Sequence, residues 1–211
     1  ADNDLFLIDV TEETPELVTI TPHEGNVEYS AMGFTPDNQT FIYSTNEFGE
    51  FNQAWTLSLE TGERAPLITE DWDVMYVGYS PSGRYRVSGV NNDASTDVSL
   101  IDLQTGDAVV LNNVPAGDLA QVRFNRDETA IAFGLNRDTA PYDLYYMPLG
   151  REATRLTAAL NPAINSEFMV EGEVVRFASY DGLNVPGILY QPREASSENP
   201  VPALVWVHGG P

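Results

Sequence analysis

Along this chain, apolar residues fall in short alternating runs, not in stretches with helical spacing. Leu57 and Leu59, Ile101 and Leu103, and Tyr145 and Met147 each sit two positions apart. A period of two places such residues on one face of a strand. Further runs cover Thr40 to Ser44, Tyr85 to Gly89 and Ala130 to Gly134, each closing on a small residue. Pro36-Asp37 and Ser82-Gly83 lie between runs, where they preset φ or accept its positive values. The pattern predicts strand, turn, strand, loop, strand, turn, strand.

That unit recurs. Gly33-Phe34-Thr35-Pro36-Asp37 aligns with Gly78-Tyr79-Ser80-Pro81-Ser82 and with Arg123-Phe124-Asn125-Arg126-Asp127, so the aromatic returns at 34, 79 and 124. A second landmark is Gly62, Gly106 and Gly150, each closing a strand of the same type. Four short strands in each unit of about 40–45 residues mark a propeller blade. A β-sandwich would give turn signals every 8–12 residues or so without a shared long register. Residues 21–70, 71–116 and 117–160 are read as three blades, and 1–20 as the end of a preceding one. That makes about three and a half four-stranded blades, short of the roughly four to eight in a closed ring. The missing blades are expected before Ala1.

The register fails after about residue 160, and 161–173 reads as a linker. Val174–Ser179 and Leu183–Tyr190 then flank Asp181-Gly182, a strong hairpin signal. After a polar loop, Pro202–Val207 is a continuous apolar run, predicted to be a strand buried on both faces. It leads into His208-Gly209-Gly210-Pro211. Residues 174–211 are read as the truncated start of a second domain.

Composition narrows the partners. The net charge is −22, from 32 acids against 10 bases, and every base is Arg. Such a field repels nucleic acid and anionic lipid, so neither is an expected partner. The acids are scattered, as in a solvated skin. With 42% hydrophobic residues the chain can still bury a core. There is no Cys, hence no disulfide. The apolar runs are too short to span a bilayer, and Ala1 to Asp4 carry no basic n-region of a signal peptide, although a longer parent could have lost one by trimming. The compartment, cytoplasmic or periplasmic, stays open. His23 and His208 are the only histidines and are too far apart to form a metal pair by spacing. Asn91-Asn92-Asp93 to Asp97 lacks the Gly and distant Glu of a calcium loop, and reads as an exposed interstrand loop. No metal or cofactor is expected.

The runs SYDGLNVPGILYQP (179–192) and PALVWVHGGP (202–211) resemble the start of the catalytic domain of prolyl oligopeptidase-family serine peptidases. The likeness is greater to acylaminoacyl peptidases and dipeptidyl peptidases than to prolyl oligopeptidase itself. The blade repeats resemble those of this family and of TolB. The resemblance implies a mainly β fold: an incomplete β-propeller followed by the first strands of an α/β-hydrolase domain. It further implies that the propeller screens peptide substrate from a Ser-Asp-His site. His208, Gly209 and Gly210 would form the oxyanion loop, with a glycine N–H as donor. The nucleophile is expected in a Gly-x-Ser-x-Gly turn, and no such sequence occurs here. The nearest, Gly78-Tyr79-Ser80-Pro81-Ser82, reads as a blade turn. No catalytic residue is therefore assigned in this chain, which is expected to be inactive alone. The alternative is a non-enzymatic TolB-like propeller that binds protein or peptide. The apolar 204–207 strand and open blade edges also predict a homodimer or a swapped tail.

Overall fold

A polar side chain at the same place in each repeat builds the same turn three times. Thr35 Oγ1, Ser80 Oγ and Asn125 Oδ1 accept the N–H five residues on, from Thr40, Tyr85 and Ala130, at 3.1, 3.0 and 2.9 Å. The backbone closes the same turns, with Thr35 N–H to Thr40 O, Ser80 N–H to Tyr85 O and Asn125 N–H to Ala130 O. Each turn needs one residue at positive φ: Asn38 (57°), Gly83 (81°) and Glu128 (56°). Gly62, Gly106 and Gly150 likewise hold φ of 71°, 82° and 75°, which is why glycine recurs there.

The computed structural model describes residues 2–93 and 95–207. It is mainly β, as the repeat implied. Strands β1 (Phe6–Ile8) and β2 (Leu17–Thr19) form an antiparallel pair. Blade 1 is a four-stranded antiparallel meander of β3 (Tyr29–Phe34), β4 (Thr40–Thr45), β5 (Gln53–Ser58) and β6 (Arg64–Ile68). Blade 2 contains β7 (Asp73–Tyr79), β8 (Tyr85–Asn92) and β9 (Ser95–Asp102). Blade 3 contains β10 (Asp118–Phe124), β11 (Ala130–Arg137), β12 (Ala140–Pro148) and β13 (Thr154–Arg155). The first strand of every blade carries a bulge, at Ala31/Gly33, Val74/Tyr76 and Ala120/Arg123.

Blade 2 departs from the expected four strands. Its fourth strand is reduced to a bridge between Ile101 and Ala108, with Val109 N–H donating to Leu100 O at 2.7 Å. The chain then leaves for the next blade. Asn112 bridges Glu152 in parallel, and its carbonyl accepts from Ala153 N–H at 2.9 Å. The segment divides its hydrogen bonds between two blades, so neither ladder extends along it.

The core lies between blades. Alternation along β4 sends Phe41 and Tyr43 into one cluster, with Val27, Tyr29 and Leu57, and sends Ile42 into another with Ala54, Val74 and Val77. The largest cluster joins blades 2 and 3 through Val87, Leu100, Val122, Ile131, Phe133, Leu135 and Met147. Polar staples cross the same seams. Asp73 accepts from Asn52 N–H at 2.7 Å, and Asp118 accepts from Thr96 N–H at 3.1 Å. These two carboxylates sit at matching positions of successive repeats. Blade 3 leaves Tyr142, Leu144, Tyr146 and Leu156 exposed on its other face.

Beyond the blades, a short 3₁₀ turn at Ser166–Phe168 is capped by Asn165, whose side chain accepts from Glu167 N–H. Strands β14 (Glu173–Ala178) and β15 (Asn184–Leu189) then pair antiparallel. Their turn closes with Ser179 N–H to Leu183 O at 2.7 Å, and Gly182 takes φ of 86°. The Asp-Gly hairpin signal is met at the expected place. The 202–207 run is not a strand here. It has no ladder partner among the described residues, and Trp206 is 84% exposed. A strand exists only through its neighbours' hydrogen bonds, and apolar sequence does not replace them.

Candidate functional site

The sequence-predicted oxyanion residues His208, Gly209 and Gly210 lie outside the described residues. The segment leading to them is exposed from Leu204 to Val207. Ser80, in the false nucleophile motif, is buried and spent on the blade turn. Asn91 to Asp97 spans the β8–β9 hairpin turn, where Asp93 takes φ of 51° and Asn92 donates to Asp97 at 2.7 Å. Among the described residues, no group of three His, Cys, Asp or Glu gathers as a metal site. His23 is held between Asp2 Oδ1 at 3.0 Å and Asp4 Oδ1 at 3.2 Å, with Thr21 O at 3.0 Å. The Asp2 hydrogen bond, the Thr21 carbonyl and Asp4 pull its pKa up to about 9.

Two places on the blades are shaped for contact. The first is the seam where hairpin β14–β15 meets blades 2 and 3. Asp138, in the β11–β12 turn, accepts from Tyr190 Oη at 2.8 Å and from Gly172 N–H at 2.9 Å. Arg176 on β14 pairs with Asp93 in the β8–β9 turn. Arg137 reaches Glu171 at 3.4 Å and the Ala116 carbonyl at 3.2 Å. A Cβ at Gly172 would stand 2.6 Å from Ile188 Cγ2, so a larger residue there would displace that side chain. The hydrogen bond to the Asp138 carboxylate, with some burial, raises the Tyr190 pKa above the ordinary phenol value. A cleft of about 240 Å³ runs along this seam between Asp118, Asn136, Glu171 and Ile188.

The second is a cavity of about 540 Å³ between the first strands of blades 2 and 3. Tyr76, Tyr79, Pro81 and Phe124 give it aromatic and apolar walls, and Gln121 and Arg123 line it as well. Tyr76 is fixed by a hydrogen bond from its hydroxyl to Leu119 O at 3.2 Å. Burial pushes its pKa up to about 12, so the hydroxyl stays a neutral donor. The bulge places Gln121 at φ of 56°.

Sequence reading missed both places. The seam depends on Asp93 and Asp138, which look like ordinary turn acids in the chain. A signal did exist for the interblade staples, because Asp73 and Asp118 fall at the repeat spacing.

No family model matches the sequence. A stretch of 85 residues, 40% of this chain, is 31% identical to the uncharacterized peptidase YuxL of Bacillus subtilis, and corresponds to 13% of that protein. A structure from a study of two prolyl endopeptidases superposes with a TM-score of 0.71 at 16% identity, over 92% of this chain and 28% of that one. TolB from Acinetobacter baumannii superposes with a TM-score of 0.54 at 20% identity, over 91% of this chain and 44% of that one. The fold is a β-propeller fold. The blades are thus of a kind found both in a peptidase structure and in TolB, and the chain spans less than half the length of each of these proteins.

Proposed function

We propose that this chain is the propeller portion of a serine exo- or oligopeptidase, together with the start of its α/β-hydrolase domain. In this reading the blades narrow peptide access to a Ser-Asp-His site carried elsewhere in the protein. His208, Gly209 and Gly210 form the oxyanion loop of that site, and a glycine N–H there faces the developing negative charge. Losing one such donor typically costs about 2.7–4 kcal/mol in the barrier.

The observation that carries the reading is the seam. Hairpin β14–β15 does not continue the blade register; it lies across the turns of blades 2 and 3, held by Arg176–Asp93 and Tyr190–Asp138. That is how a second domain would be mounted on one face of a propeller. The partial identity to a peptidase supports the same reading. The gene sequence on both sides of this chain tests it. A Gly-x-Ser-x-Gly element after Pro211 is the expected finding, whereas a gene ending at or near Pro211 removes the proposal.

The likeness to TolB favours a second reading, a non-enzymatic propeller that binds protein or peptide. That function has no need of residues 174–211. Deleting them with partner binding intact would favour it. In either case the exposed 204–207 run and the bare face of blade 3 point to a homodimer or swapped tail for the 211-residue chain. Sedimentation as a clean monomer at high concentration would contradict that assembly.

A further inference from the structure

The repeat itself singles out one residue. Positions 33, 78 and 123 are equivalent, and they read Gly, Gly and Arg. The third blade therefore places an arginine where its sisters have no side chain. Arg123 is exposed and, like Gly78, lines the 540 Å³ cavity. Its one side-chain hydrogen bond among the described residues runs from Nη1 to Val122 O at 2.9 Å. A guanidinium has five N–H donors, so most remain available. No carboxylate stands within ion-pair distance among the described residues. Arg86, Arg126, Arg151 and Arg193 are likewise without an ion pair among the described residues, but Arg123 is the arginine that lines this cavity.

We infer that the cavity between β7 and β10 binds the carboxylate of a short peptide, with Arg123 as the anion-binding residue. The guanidinium presents paired donors of the geometry that suits a carboxylate. Gln121 adds an amide beside it, and Tyr76, Tyr79, Pro81 and Phe124 supply the apolar and aromatic surface for a neighbouring side chain. The −22 charge of the chain disfavours anions in general, so binding of an acidic end depends on a local cation such as Arg123. The inference rests on the peptide-access reading for its biological sense, but it concerns equilibrium binding and needs no hydrolysis.

The test uses the 211-residue chain, titrated with N-acetyl-Ala-Phe bearing a free carboxylate and with the same peptide as its C-terminal amide. Chemical-shift changes in ¹⁵N-labelled protein report both affinity and location. The expected result is at least about fivefold tighter binding of the acid, as from a charge-assisted hydrogen bond worth roughly 1–2 kcal/mol beyond a neutral one. Shifts should centre on Tyr76, Gln121 and Arg123. In Arg123→Gln the acid should bind no better than the amide, while Arg126→Gln, outside the cavity lining, should behave as wild type. Equal affinity of acid and amide in the wild type, no binding of either, or shifts centred elsewhere would overturn the inference. None of these outcomes bears on whether the gene continues into a hydrolase, so the two proposals fail separately.

Discussion

Blade 3 and the tail hairpin are both antiparallel, yet they are held in place by different forces. Along β11, Ala130, Ile131, Phe133, Gly134 and Leu135 are buried, and the inward residues meet Val87, Leu100 and Val122 of the neighbouring strands. Along β14 and β15 no residue is fully buried. The hairpin has a complete ladder but little packing, and it rests on the Asp93 and Asp138 contacts. A hydrogen-bond ladder sets local geometry, while apolar burial between sheets supplies most of the stability. The blades therefore stand as a cooperative stack, and the hairpin is an attachment to it.

The largest effect should come from the stack. Phe133 is 1% exposed and stacks on Tyr145 with ring centroids 5.5 Å apart. Phe133→Ala should cost about 3–5 kcal/mol, read as a lower urea midpoint for all blades together. A midpoint unchanged within error would show that the interblade cluster is not the core.

Next is Asp143, buried on β12. Burial pushes its carboxyl upward, but Thr157 Oγ1, the Ala159 N–H and Arg155 outweigh that and hold it below the usual carboxylate range. A lowered folded-state pKa adds stability above the ordinary value of 3.8, and this is lost as pH falls toward and through the folded value. Asp143→Ala should destabilise by on the order of 2 kcal/mol at pH 7. It should also flatten the acid limb of the stability curve. An acid limb identical to wild type would exclude this role.

The hairpin should respond in the opposite way. Asp93→Ala with Asp138→Ala removes its polar anchors and should leave the blade midpoint within about 0.5 kcal/mol of wild type. Trypsin cleavage after Arg176 should then accelerate about 5–30-fold, for roughly 1–2 kcal/mol of lost docking. Blade unfolding in step with cleavage would mean that the two regions form one unit.

The smallest effect is at the far end. His23, with its pKa raised to about 9, contributes stability that is complete below about 6.5 and lost as pH rises through about 9. His23→Gln should remove that alkaline drift, seen in thermal melts across the same window. A drift that persists in the variant would assign it to another group.

The same contrast sets what could be read from the residues alone. The blades were legible because each repeats one turn chemistry, Thr35, Ser80 and Asn125 with Gly62, Gly106 and Gly150, and a periodic signal reinforces itself. The fourth strand of blade 2 was not, because its loss depends on Asn112 pairing with Glu152 in the next blade. Apolar sequence alone called 202–207 a strand, but strands are made by partners, and none lies beside it among the described residues. Of the candidate site, His208 to Gly210 was named by resemblance and falls outside the described residues. The acids of the seam carry no local signature, since their role comes from what docks on them. Arg123 was visible as the exception in an aligned column, although its meaning required the cavity.

Native-state hydrogen exchange on the 211-residue chain tests the central claim most directly. Amides of β4, β8 and β11 should exchange only by global opening, and those of β14 and β15 by a separate opening of lower free energy. Protection of β14 and β15 equal to that of β11 would contradict a stacked propeller with an attached tail.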